Sequence, residues 1–159
     1  TEGLSRRFKD SILEIFYNAD THSETGLGIF ACGQYFPKKK KLDFSIADAG
    51  IGIRRKIFRA LKLKMNSDKA IEWALKEGNT VRKGNIPGGR GLKLLRDFVT
   101  LNDGRLQIVS DRGYWEMKGG QETLVRMDCS FPGTVVNIEI NTADTKSYRL
   151  RSEDRPQDN

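Results

Sequence analysis

The run Lys41-Leu42-Asp43-Phe44-Ser45-Ile46-Ala47-Asp48-Ala49-Gly50-Ile51-Gly52 constrains this chain more than any other stretch. Leu42, Phe44 and Ile46 alternate with Asp43, Ser45 and Ala47, the period-two pattern of a strand with one buried face. The pattern ends on the carboxylate of Asp48. Gly50 and Gly52 then allow backbone turns that a Cβ would resist. From Arg54 to about Leu63 the apolar residues recur at helical spacing. A strand that breaks at two glycines and re-enters as a helix calls for helices layered on a sheet.

The rest of the chain fits that frame. Leu4, Phe8, Ser11, Ile12, Ile15, Phe16 and Ala19 predict a helix from Leu4 to about His22. Leu27 to Phe36 has strand composition. With the Pro37–Lys41 turn and the next strand it predicts an antiparallel hairpin. Ser67 is the expected N-cap of a helix through Glu77, which stops at Gly78-Asn79. Thr80 to Gly89 reads as a polar loop, and Gly91 to Leu101 as a helix ended by Asn102-Asp103-Gly104. After Arg105 the pattern is β. Leu106–Ser110, Tyr114–Met117, Leu124–Met127 and Val135–Ile140 are expected as strands, with a turn at Asp111-Arg112-Gly113. The expectation is an α+β two-layer sandwich of helices on a mixed, largely antiparallel sheet.

The chain has 159 residues, 37% hydrophobic and 31% charged, enough for one domain with a real core. That domain is expected over residues 1–143, with a polar tail or linker over 144–159. No run reaches the ~18 apolar residues of a membrane span, so no membrane contact is expected. The start, from Thr1 to Arg7, has neither a Met nor the apolar core of a signal peptide. A cytoplasmic piece of a longer protein is expected, with flanking domains or a protein partner. Cys32 and Cys129 lie in apolar, strand-like segments and are expected as reduced core thiols. His22 is the only histidine, and no zinc-ligand spacing exists. The net charge of +7 concentrates between Lys38 and Lys64. Nucleic acid is one reading of that segment. No aromatic residue interleaves with Lys38–Lys41 to stack bases, which favours a solvated hairpin turn and surface helix.

Three groups of residues carry chemistry. Glu14 and Asn18 are four apart and share a helix face. An amide oxygen suits Mg2+ and a carboxylate can orient a nucleophile. His22 continues that face, or caps the helix near the negative end of its dipole. Asp48, ending an apolar strand beside Gly50 and Gly52, can accept the exocyclic amine of adenine. Guanine has a carbonyl there and is rejected. Gly88-Gly89-Arg90-Gly91-Leu92 precedes a helix, whose free N–H groups and dipole suit phosphate oxygens. Alone, each pattern also describes an ordinary helix face or turn.

Together, in this order, they resemble the boxes of the GHKL superfamily of ATPases and kinases (gyrase B, heat-shock chaperone, histidine kinase and MutL types). The resemblance implies the Bergerat ATP-binding fold, ATP and Mg2+ as cofactors, Glu14 as catalytic base and Asn18 as metal ligand. It further implies adenine recognition by Asp48 with Gly50 and Gly52, and phosphate contacts from Gly89, Arg90, Gly91 and Leu92. Thr134 is either the late threonine that sits near the adenine carboxylate in this superfamily or part of an ordinary Pro-Gly-Thr turn. Residues from about 54 to 87 would form the ATP lid, and Phe58 is either the weak F box or core packing, the latter favoured. The Glu14-x-x-x-Asn18-x-x-x-His22 spacing is closest to anti-sigma-factor serine kinases. Where histidine kinases carry a further glycine, this chain has Lys93, which can reach phosphates or solvent. The implied activity is Mg-dependent ATP hydrolysis driving a conformational or partner-binding switch. The alternatives are phosphoryl transfer to a protein serine or threonine, and nucleotide sensing without turnover.

Overall fold

A computed structural model describes residues 9, 12–13, 15–17, 19–20, 24–76 and 90–144, without the side chains of residues 90, 91, 93 and 94. Residues 9, 12–13, 15–17 and 19–20 are helical. They are followed by β1 (Ile29–Phe36), a 3-10 turn (Pro37–Lys39) and β2 (Lys41–Asp48). Helices α1 (Gly52–Leu61), α2 (Ser67–Leu75) and α3 (Arg90–Leu101) come next, and β3 (Arg105–Lys118) and β4 (Gln121–Asn141) complete the order. The class is α+β, as the patterning predicts.

The four strands form one sheet in the order β1-β2-β4-β3. Every pairing among the described residues is antiparallel, so the expected mixture of directions is not found there. The expected antiparallel β1–β2 hairpin is present, its first strand starting at Ile29 and not Leu27, and it turns through Pro37–Lys39 with Lys40 in the left-handed region at φ 52°. The four short strands expected after Arg105 are instead two long ones. Asp111-Arg112-Gly113 is not a turn. It is an irregularity inside β3, with register shifts on both sides of Asp111 and a positive φ there. Pairing with β4 continues on either side, so the chain bends without reversing.

The described helices pack on one face. Ile46 of β2, Val136 and Ile138 of β4, and Leu106, Ile108, Trp115 and Met117 of β3 meet Ile15, Ala19, Ile71, Leu75, Leu95 and Val99 in a single buried cluster. Each large apolar side chain buried this way contributes about 1.5–3 kcal/mol. The opposite face mixes polar pairs with an apolar row: Lys41 pairs with Glu139 at 2.7 Å and Ser45 donates to Asn137 Oδ1 at 2.7 Å, while Phe30, Ala47, Val135 and Val109 stand level across the four strands.

Several expectations change. Cys32 and Cys129 are free and exposed, not core thiols. Cys32 lies on an edge strand, level with Ser45 on the face away from the helix-covered core, and apolar composition alone does not bury such a position. Phe58 is exposed on the outer side of α1, under the Lys62 ammonium at 5.8 Å, and does not join the core. Ser67 is the first residue of α2; Asn66 is its N-cap, and the Ser67 hydroxyl is used elsewhere. Within the segment expected as a lid, α1 and α2 bury Ile57, Ala70, Ile71 and Leu75. Its residues 77–87 lie outside the described set, as do 145–159 of the expected tail. Among the described residues, no helix is long and apolar enough to cross a membrane.

Candidate functional site

Asp48 ends β2 on the helix-covered face, two residues beyond the buried Ile46. Its backbone sits level with Ile29 on one side and Thr134 on the other. Only 7% of the residue is exposed. Carboxylate Oδ1 accepts the Gly50 N–H at 2.9 Å, which ties the first turn of the glycine segment to the strand end. Burial pushes the Asp48 carboxyl above its ordinary 3.8, opposed by the N–H groups of Gly50 and Thr134.

The glycines here answer to close packing. Gly52 has φ 74°, and a Cβ on it would meet Ser110 Oγ at 2.9 Å. Gly133 has φ 97°, and a Cβ on it would run into the Asp48 carbonyl oxygen and lie 2.7 Å from the Gly50 nitrogen. The Asp48–Gly50 turn therefore lies flat against the backbone of β4. No side chain fits between them.

A polar cluster anchors this turn from below. Ser110 Oγ accepts the Ile53 N–H at 2.9 Å, donates to the Gly133 carbonyl at 3.1 Å and lies 3.0 Å from Thr134 Oγ1. Beside it, Asp111 Oδ2 accepts from Arg54 Nε at 2.9 Å and from Ser67 Oγ at 2.8 Å. Its Oδ1 accepts from Ser130 Oγ at 2.7 Å. Burial pulls the Asp111 carboxyl upward, but the bonds from Ser130, Ser67 and Arg54 and the Arg54 charge outweigh it. The carboxyl is held at about 2. One carboxylate at the β3 bulge thus fastens the start of α1, the start of α2 and β4. Gly113 lets α2 approach: a Cβ there would lie 2.6 Å from the Ser67 carbonyl oxygen.

Of the residues expected at the site, the fold brings Asp48, Gly50, Gly52 and Thr134 together. Arg90, Gly91, Leu92 and Lys93 form the first turn of α3, where free N–H groups point along the axis. Leu92 packs against the core cluster that also contains Ile46, Ile15 and Ala19. Glu14, Asn18, His22 and Gly89 lie outside the described residues. Among the described residues no group of three or more His, Cys, Asp or Glu side chains gathers as a metal site. A separate cavity of about 260 Å³ is lined by Arg54, Phe58, Leu63, Lys64 and Met65. It is smaller than the roughly 300–1,000 Å³ of ligand pockets and contains none of the residues expected at base or phosphates.

Sequence reasoning missed Ser110, Asp111, Ser67 and Ser130. One signal was available. Ser110 continues the inward phase of Leu106 and Ile108, and a polar side chain in that phase needs a buried partner. Nothing local points to Asp111, whose partners come from three other elements.

Compared with known protein families and with curated proteins, the chain matches none.

Proposed function

We propose that this domain binds ATP with Mg2+ in a Bergerat-type site of the GHKL superfamily and couples hydrolysis to a conformational or partner-binding switch. The observation that supports it best is the buried Asp48 carboxylate, level with Thr134 and followed by a glycine turn pressed onto β4. A carboxylate kept in so dry a place is costly unless it has work to do. Accepting the adenine amine is work that needs an acceptor at the end of a rigid strand. Thr134, already within hydroxyl reach of Ser110, borders the same spot. The first turn of α3, with no acidic residue in it, suits the phosphates. Asn18 would hold Mg2+ and Glu14 would orient the attacking water. The Glu14/Asn18/His22 spacing favours, as second reading, transfer of the phosphoryl group to a protein hydroxyl, with Glu14 taking its proton.

Calorimetry with ATP and GTP tests the base assignment. ATP should bind and GTP should not. Asp48→Ala should remove a charge-assisted hydrogen bond of about 1.5–3 kcal/mol, roughly 10- to 150-fold in affinity. Equal affinity for both nucleotides in the wild type refutes the reading. Glu14→Ala should keep binding within a few fold and lose turnover. ADP release without an acceptor identifies an ATPase, and label arriving on an added protein identifies a kinase.

A further inference from the structure

We propose that the outer side of α1 and the chain that follows it, residues 54–65, dock an acidic segment of a protein partner. One large apolar side chain of that segment seats beside Phe58, and the carboxylates flanking it meet the surrounding cations. This docking is independent of the nucleotide reading.

Ile53 and Ile57 turn one side of α1 toward the protein: Ile57 is buried and Ile53 packs against the core cluster. Arg54, Phe58 and Leu61 follow one another along another side at helical spacing. At Lys62 the backbone turns left-handed, with φ 59°, and the Lys62 N–H donates to the Phe58 carbonyl at 2.9 Å, which ends the helix. Leu63, Lys64 and Met65 then join Arg54 and Phe58 around the cavity of about 260 Å³. Every residue from Phe58 to Lys64 is exposed, with Phe58 at 40%, Leu61 at 41% and Leu63 at 42%. Single apolar side chains on a surface need no explanation, but three grouped at a concavity mark an interaction site. The volume is below that of pockets for drug-sized ligands. It suits one inserted side chain, the anchor of a protein interface.

Charge selects the occupant. From Ala49 to Ser67 the chain holds Arg54, Arg55, Lys56, Arg59, Lys62 and Lys64 and no acidic residue. Arg54 is engaged by Asp111 and Arg59 by Glu24. Arg55 and Lys64 have no acidic partner among the described residues. The bond from Arg54 Nε to Asp111 uses one of five guanidinium N–H donors and fixes the group at the cavity wall, to which Lys64 also belongs. A carboxylate-rich segment supplies the missing counter-charge while its apolar residue fills the cavity. Nucleic acid would bring the charge without the anchor. Phe58 is the only aromatic residue between Asp48 and Asp68, and the Lys62 ammonium, 5.8 Å from its centroid, covers a face on which a base would stack. A lipid surface receives a projecting apolar face, whereas this one is hollow.

The test is fluorescence polarisation of the labelled peptide Asp-Glu-Asp-Trp-Asp-Glu-Asp with the full chain. Saturable binding that weakens with added salt is expected. Exchanging the peptide's Trp for Ser, or each of its acids for the amide, should raise the Kd about tenfold or more. Leu63→Ser, which strips an apolar wall, and Lys64→Glu, which reverses a charge at the rim, should do the same. Both residues are exposed and lie beyond the end of α1, so the fold, followed by circular dichroism and thermal unfolding, should be kept. The peptide exchanges need no variant and decide the matter even if one unfolds. No saturable binding, equal binding of the Ser peptide, or folded variants that bind as the wild type does overturns the proposal. So does tighter binding of a thymidine oligonucleotide or of phosphatidylserine vesicles than of the Trp peptide.

Discussion

Replacing Asp111 by asparagine keeps the shape of the side chain and removes one charge at the junction of three elements. The carboxylate accepts from Arg54 and Ser67 on one oxygen and from Ser130 on the other. Asparagine offers one acceptor oxygen, so at least one of these donors meets an amide NH2 or an uncharged carbonyl. The size of the loss follows from the titration of the carboxyl. Its value moves from 3.8 to about 2 on folding. A shift of nearly two units corresponds to about 2.4 kcal/mol. The Asp111 side chain is 23% exposed and its Arg54 partner 38%, so water screens the pair and about 1–2 kcal/mol is the expected contribution. Because the folded value is lowered, this stability is present above pH 3.8 and is lost as pH falls through about 2. Urea unfolding at pH 7 should therefore show Asp111→Asn less stable by about 1–2 kcal/mol. A series from neutral pH down toward pH 2 should show the wild type converging on the variant. If the two proteins unfold at the same urea concentration at pH 7 and share one acid profile, the cluster is not a clamp.

Two further perturbations probe the glycine turn. Gly133→Ala places a Cβ against the Asp48 carbonyl oxygen at a φ of 97°. It should cost at least ~1–3 kcal/mol by thermal or urea unfolding, and a neutral result would mean that β4 can move away from the turn. Asp48→Asn should do the reverse for stability. Burial raises the Asp48 carboxyl above its ordinary 3.8, so folding disfavours its ionised form; this stability is full below 3.8 and is lost as pH rises through the raised folded value. At pH 7 the variant should unfold at higher urea than the wild type while binding ATP more weakly. A lower midpoint would show that the Gly50 bond outweighs the desolvation.

What was readable in the sequence was what local periodicity encodes. The alternation of Leu42, Phe44 and Ile46 placed β2, its hairpin with β1 and the buried phase of Asp48. The three- and four-residue spacing of Leu92, Leu95, Phe98 and Val99 placed α3 and its inward face, and Asn102-Asp103-Gly104 placed its end. These depend on neighbours within a few residues, where backbone geometry repeats at fixed periods. The carboxylate and the glycines of the candidate site were legible for the same reason.

Tertiary structure decided the rest. Asp111-Arg112-Gly113 has the composition of a turn, but pairing with β4 on both sides holds it as a bulge. Cys32 and Phe58 are apolar by composition and exposed in fact, because burial depends on which face a neighbouring element covers. The Ser67–Asp111–Ser130 and Ile53–Ser110–Gly133 contacts join residues from separate elements, and no local spacing records them. Periodicity tells each segment which side to bury. Only long-range register tells it what it will be buried against.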